Sequence, residues 1–398
     1  MLIEVILALL FGTFFGIITG LIPGLHNNNI STILLGISSF LLLFISPIAL
    51  IVFISSMAIT NTFVDFIPSV YLGAPDEDSA MSVMPGHYFL LKGRAHYAVL
   101  LTLVGSCIAI LLLIIILPIF FFAVPKTYEF VQRMMAWFLI WISILLIFTE
   151  KKSKKMAIVL FLLSGFLGIA SLNIMENSLL PLLSGLFGSS TIIYSMSKNA
   201  EIPKQKIEKI KIKKLKILKP VIATAIISPL CSFFPGLGSS QAAVIGSALF
   251  KKMSRSQFLI LLGSINTLVM SVSFAVLYLI GKPRTGAAGA IQQIADLSLS
   301  DLKIIFISML LSTLIASVAV VKISKFFAKN LGRFNYQKIS LAVLIFLFLM
   351  IIFFSGFYGL IIFIASTILG LFSIHSGVRR SFLMGSLLIP AIIFYLPF

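Results

Sequence analysis

Apolar runs long enough to carry an α-helix across a ~30 Å hydrocarbon core, about twenty residues each, recur along the chain. They lie near 47–66, 95–124, 134–149, 156–172, 177–196, 257–280, 302–325, 339–355, 356–373 and 381–397. Pro118 falls inside the long 95–124 run and predicts a kink or an end there, because proline lacks the N–H and crowds the preceding turn. Two further stretches, 3–45 and 220–250, are apolar but interrupted near the middle by Pro-Gly. The first reads GIITGLIPGLHNNNISTILL and the second AIISPLCSFFPGLGSSQAAVIG.

The interrupted stretches organise the rest. Pro23-Gly24-Leu25 returns as Pro235-Gly236-Leu237, 212 positions on, and the loop GAPDEDSA at Gly73 returns as GKPRTGAA at Gly281, 208 positions on. Two landmarks in one order at nearly one spacing indicate an internal duplication. It divides the chain into a first repeat at 1–197, a basic linker at 198–219 and a second repeat at 220–398.

Composition sharpens this picture. The 398 residues are 60% hydrophobic and 11% charged, against roughly 45–50% and about 25% in soluble domains. A soluble fold could not cover so much apolar surface, whereas hydrocarbon does. The net charge of +18 would suggest nucleic acid in a soluble protein. Here the basic residues come in bursts between apolar runs, the pattern of cytoplasmic loops, and no nucleic-acid partner is expected.

Charge also orients the chain. The linker carries nine lysines and belongs in the cytoplasm, and Lys251, Lys252 and Arg255 close the second broken stretch on the same side. Stretch 220–250 therefore enters and leaves from one side, as a re-entrant hairpin whose arms of about 15 residues, roughly 22 Å, stop short of a full crossing. Threading outward from the linker puts 281–301 and 125–133 outside and opens the first hairpin outside. Of the 30 lysines and arginines only Lys126, Arg133, Lys282, Arg284 and Lys303 then fall outside, as the positive-inside rule requires. The expected fold is an all-α polytopic cell-membrane protein with both termini outside. It has two inverted-topology repeats, each with one re-entrant helical hairpin plus about five transmembrane helices. The N-terminal run carries Glu4 and no basic leader, so it reads as a retained membrane segment.

Inverted repeats with helices broken at mid-depth are the geometry of secondary transporters. A broken helix exposes unpaired N–H groups and about half a positive charge at its new N-terminus, which suits an anion without a buried arginine. The candidate substrate-binding residues are Pro23, Gly24, His26, Asn27, Asn28 and Asn29 at the first tip, with Pro235, Gly236, Gly238, Ser239 and Ser240 at the second. Asn and Ser are also good N-caps, so capping alone and capping with ligand contact both stay open. With Pro75 set on Pro283, Asp76 aligns with Arg284. The two loops are then expected to dip inward, with Asp76, Asp78 and Arg284 serving coupling or substrate contact; the alternative leaves them solvated. Asp65, at the cytoplasmic end of its run, is either a proton or sodium ligand or an interfacial charge.

No HExxH, GxSxG, P-loop or CxxC pattern occurs, so no catalytic residue, metal site or cofactor is expected, and the chain does not read as an enzyme. The reading is an ion-gradient-coupled permease for a small organic anion, most simply a carboxylate, with Na+ or H+ as coupling cation. The alternative is a carrier or intramembrane enzyme acting on a lipid-linked phosphate, since phosphate suits a helix N-terminus equally.

These residues resemble the TctA family, the large membrane subunit of tripartite tricarboxylate transporters. The family's Gly-rich helix leading into Pro-Gly is matched by Gly16, Gly20, Pro23, Gly24, Leu25 and His26. Its second-half copy is matched by Pro235, Gly236, Leu237 and Gly238. Its loop and basic elements are matched by Gly73, Ala74, Pro75, Ser79 and Ala80, then Gly86, His87, Tyr88 and Lys92-Gly93-Arg94-Ala95. The chain departs from the family at His26 and the Asn run, at Asp76-Glu77-Asp78, and at Lys282 and Arg284. The resemblance implies an extracytoplasmic solute-binding protein and a small membrane subunit as partners.

Overall fold

The computed structural model describes residues 2–22, 30–31, 34–35, 37–75, 78–148, 150, 152–175, 178–197, 203–208, 214–232, 238–250, 253–331 and 336–396. Among them every regular element is helical, and eight helical stretches are long and apolar enough to cross a membrane. The protein is an all-α, multi-pass membrane protein.

Helix α1 (Leu2–Leu21) leads to the first Pro-Gly, and α2 (Pro47–Val64) and α3 (Phe66–Tyr71) follow it. Pro68 lacks the N–H that would bond back toward Val64, which explains the interruption at Asp65 within an otherwise continuous 25-residue span. After α4 (Val83–Leu91) comes α5 (Ala95–Phe148), 54 residues of helix containing Pro118 and Pro125. Straight, it would measure about 81 Å, more than twice the hydrocarbon core. It does not run straight across. Ala95 N donates to Gln205 Oε1 at 3.0 Å and Glu150 pairs with Arg379 at 3.0 Å, at the end where Arg379 and Arg255 share a cavity. Tyr128, half-way between, sits under Lys282 at 4.9 Å, beyond the far end of the helix that Arg255 begins. The stretch thus holds the two expected runs, turning back where 125–133 was placed as a loop.

The first half closes with α6 (Lys154–Ile174) and α7 (Leu179–Ser197), the latter containing a π-helical turn at Ser184–Ser189. The second half comprises α8 (Lys214–Ser232), α9 (Ser239–Leu249), α10 (Arg255–Ile280), α11 (Gly286–Ile294), α12 (Leu299–Asn330), α13 (Tyr336–Ser376) and α14 (Gly385–Tyr395). α13 also covers two expected runs, divided at Gly356, whose φ of 58° and ψ of −156° are not helical.

Which helices are central follows from their polar residues. α10 carries Ser264, Asn266, Thr267, Ser271 and Ser273, and α2 carries Ser55, Ser56, Thr60, Asn61 and Thr62, all buried. Such side chains need protein partners rather than lipid. The most apolar 18-residue window is 100% buried in α10 and 83% in the span from Pro47, against 28–39% in α1, α5, α6, α12 and α13. These last helices expose Leu, Ile and Phe to lipid. The two innermost spans are the ones that follow the two Pro-Gly stretches. They touch about half-way along each, where Thr62 Oγ1 and Thr267 Oγ1 are 3.3 Å apart.

Small residues bring the backbones together. A Cβ on Gly16 would lie 2.7 Å from the Cβ of Thr60, so α1 and α2 pack at backbone contact. On the second Pro-Gly stretch, α9 has 11 residues, about 16 Å, and α8 before it has 19, about 28 Å. On the first stretch α1 has 20 residues, about 30 Å. No proline interrupts Leu2–Leu21.

Candidate functional site

The polar centre is built around the start of α9. Gly238 is its N-cap residue in extended conformation and offers no side chain. A carboxylate from the other half of the chain takes that place: Ser239 N donates to Asp78 Oδ1 at 2.8 Å, and Ser240 Oγ donates to Asp78 O at 2.9 Å. The aligned N–H dipoles make this end positive, and Asp78 meets it with a full negative charge. From Ser239 the bonding continues inward. Ser239 Oγ donates to Asn266 Oδ1 at 3.1 Å, and Asn266 Nδ2 donates to Asp65 Oδ2 at 3.0 Å. The chain Asp78–Ser239–Asn266–Asp65 thus passes from the first half into the second and back.

Asp65 is buried within the apolar span that runs from Pro47 to Tyr71. It is 3% exposed, and α2 and α3 carry the chain past it, so it lies inside the span rather than at its cytoplasmic end. One residue beyond Ser240, Gln241 is 1% exposed, and neither atom of its carboxamide has a hydrogen-bond partner. A buried amide with no partner among the described residues costs on the order of 1–3 kcal/mol.

The second expected loop also reaches this region. Arg284 Nε donates to Cys231 O at 2.8 Å, a carbonyl in the last turn of α8, where the helix dipole is negative. The two ends flanking the second Pro-Gly are therefore each met by a side chain of opposite sign, Asp78 at one and Arg284 at the other. Pro23, Gly24, His26, Asn27, Asn28, Asn29, Asp76, Pro235 and Gly236 lie outside the described residues.

Three participants escaped the sequence reading. Asn61 donates to Thr19 Oγ1 of α1 at 3.2 Å, as Asn266 bonds the start of α9. Asn61-Thr62-Phe63-Val64 and Asn266-Thr267-Leu268-Val269 recur 205 positions apart, and that doublet was the available signal. Arg380, 4% exposed, donates to Leu186 O, Phe187 O, Ser190 Oγ and Thr191 Oγ1 around the π-helical turn of α7. Its only signal was position at an expected loop, which gives no hint of burial.

The family model of the tripartite tricarboxylate transporter TctA family matches residues 6–385. Among curated proteins, an uncharacterized protein of Methanocaldococcus jannaschii, MJ1079, is 29% identical over 408 residues, covering 98% of this chain and 99% of its own. No solved structure matches.

Proposed function

Because the chain belongs to the tripartite tricarboxylate transporter TctA family, we propose that it is a permease for a small organic anion, driven by a Na+ or H+ gradient. The supporting observation is the mid-depth chain Asp78–Ser239–Asn266–Asp65, beside the unpartnered Gln241. The amide end of α9 is the anion seat, and Asp78 occupies it in this conformation. A substrate carboxylate takes that seat by displacing Asp78, with Gln241 and Ser239 completing its hydrogen bonds. Asp65 is the coupling carboxylate: it takes up a proton or a cation and passes the change to the seat through Asn266 and Ser239. The repeats at 1–197 and 220–398, joined by the linker at 198–219, rock about the contact between α2 and α10, with both termini outside. Pro23, Gly24, His26, Asn27, Asn28, Asn29, Pro235 and Gly236 complete the two tips, and Asp76 and Arg284 tune them. A solute-binding protein and a small membrane subunit deliver the substrate, as the family description implies.

The test is uptake of labelled citrate by proteoliposomes under imposed Na+ and H+ gradients. Wild type is expected to accumulate the label under one of them. Asp65→Asn should lose the dependence on the gradient, and Asn266→Ala should fall about tenfold. Gradient-driven uptake that survives both substitutions unchanged would remove this site from the mechanism.

A further inference from the structure

The three arginines Arg255, Arg379 and Arg380 line one cavity of about 520 Å³ at the end of the molecule that gathers the basic segments. Arg255 opens α10, and Arg379 and Arg380 lead into α14. Tyr88, Met84 and Phe258 supply aromatic and apolar wall, and among the described residues no carboxylate lines the space. Arg379 is compensated by Glu150, 3.0 Å from its Nε. Arg255 is exposed and lies over the Tyr88 ring at 3.9 Å. Arg380 is buried among neutral acceptors of the π-helical turn, and its Nε has no hydrogen-bond partner. Among the described residues neither Arg255 nor Arg380 has an ion-pair partner.

A buried guanidinium bonded only to neutral oxygens keeps its full charge in a low-dielectric setting, which favours a counter-ion. The N-terminus of α10, capped by Ser254 on the cavity wall, adds positive potential of its own. Guanidinium forks match carboxylate and phosphate oxygens in pairs.

We propose that this cavity is an oxyanion site, holding one anion with two or more negative charges on carboxylate or phosphate oxygens between Arg255 and Arg380. The anion comes either from the water on that side or from the headgroup of an anionic lipid. The site shares no residue with the mid-depth chain at Asp65 and Asp78 and does not depend on the transport reading.

The experiment uses the full chain in nanodiscs of phosphatidylcholine, with thermal unfolding and calorimetric titration of citrate and of inorganic phosphate. A parallel arm uses discs containing phosphatidylglycerol and no added anion. Wild type is expected to be stabilised in at least one arm, because a ligand of the folded state raises Tm. The exposed Arg255→Gln should weaken that response tenfold or more, with Arg255→Lys intermediate, and Arg133→Gln, exposed and absent from the cavity wall, should respond as wild type. A response to free anions alone identifies the aqueous source, and a response to the anionic lipid alone identifies the headgroup; both support the site. A wild type unresponsive in every arm overturns the proposal, as does an Arg255→Gln variant that responds undiminished. So does a response that Arg133→Gln weakens as much as Arg255→Gln does.

Discussion

A polar side chain inside a membrane protein is tolerated where protein bonds replace water, so each one records what surrounds it. Ser239 and Ser240 were readable as candidates because polar residues beside a Pro-Gly break stand out against apolar sequence, and Asp78 because it belongs to the acidic GAPDEDSA loop. Asn266 sits in a long apolar run, and only the folded chain shows it joining Ser239 to Asp65. His87 offers a test at this scale. It lies on α4, outside the spans, with Nε2 2.8 Å from Ser195 Oγ. Burial, and then the nearby Arg380 charge, hold its imidazole down to about 4 from the ordinary 6.5. The folded state therefore keeps His87 neutral at pH values where the unfolded chain already takes up a proton. Its contribution to stability is complete above about 6.5 and declines as pH falls toward 4. Thermal unfolding followed from pH 7 to 4.5 should show a shallower loss in His87→Gln, which keeps a partner for Ser195. Identical slopes would mean that the histidine is not held neutral.

At the scale of elements, the length and hydrophobicity of the runs located nearly every span, because twenty apolar residues have few alternatives in lipid. Their boundaries were harder. Pro118 and Pro125 both lie within the helical stretch α5, so no non-helical loop marks the boundary between its two runs. At the two Pro-Gly sites the preceding helices α1 and α8 have 20 and 19 residues, and α9, which follows the second, has 11. The packing of α1 on α2 depends on Gly16. A larger side chain there would enter the backbone of Met57 and the side chain of Thr60. Gly16→Leu should destabilise the protein by about 1–3 kcal/mol, the usual cost of overpacking. It should be seen as a lower Tm and a smaller monodisperse fraction in detergent. A variant with wild-type Tm would show that this crossing is looser than described.

At the scale of the whole molecule, the two innermost spans meet through the corresponding threonines of the Asn-Thr doublet, Thr62 and Thr267. If the halves move against one another about that contact, fixing it should stop the cycle. In a background with Cys107→Ser and Cys231→Ser, the pair Thr62→Cys and Thr267→Cys should cross-link on oxidation. Cleavage in the 198–219 linker would reveal the bond as two fragments that stay joined on a gel. Citrate uptake should then fall at least tenfold and recover with reductant. Full uptake by the cross-linked protein would rule out relative motion at this point.

Hydropathy and charge bias were enough to determine membrane residency and helical class, and the recurring Pro-Gly singled out Ser239 and Ser240 as candidates. Each follows from local chemistry: lipid rejects unpaired backbone, the positive-inside bias is read from short loops, and a broken helix exposes N–H groups wherever it occurs. Partnership was decided only by the tertiary structure. Asp78 covers the α9 amide end from 161 positions away, Asn266 reaches Asp65 across 201, and Arg380 is buried in a π-helical turn 190 positions earlier. No local pattern encodes such pairings, because they depend on which helices pack together and how deep each residue comes to lie.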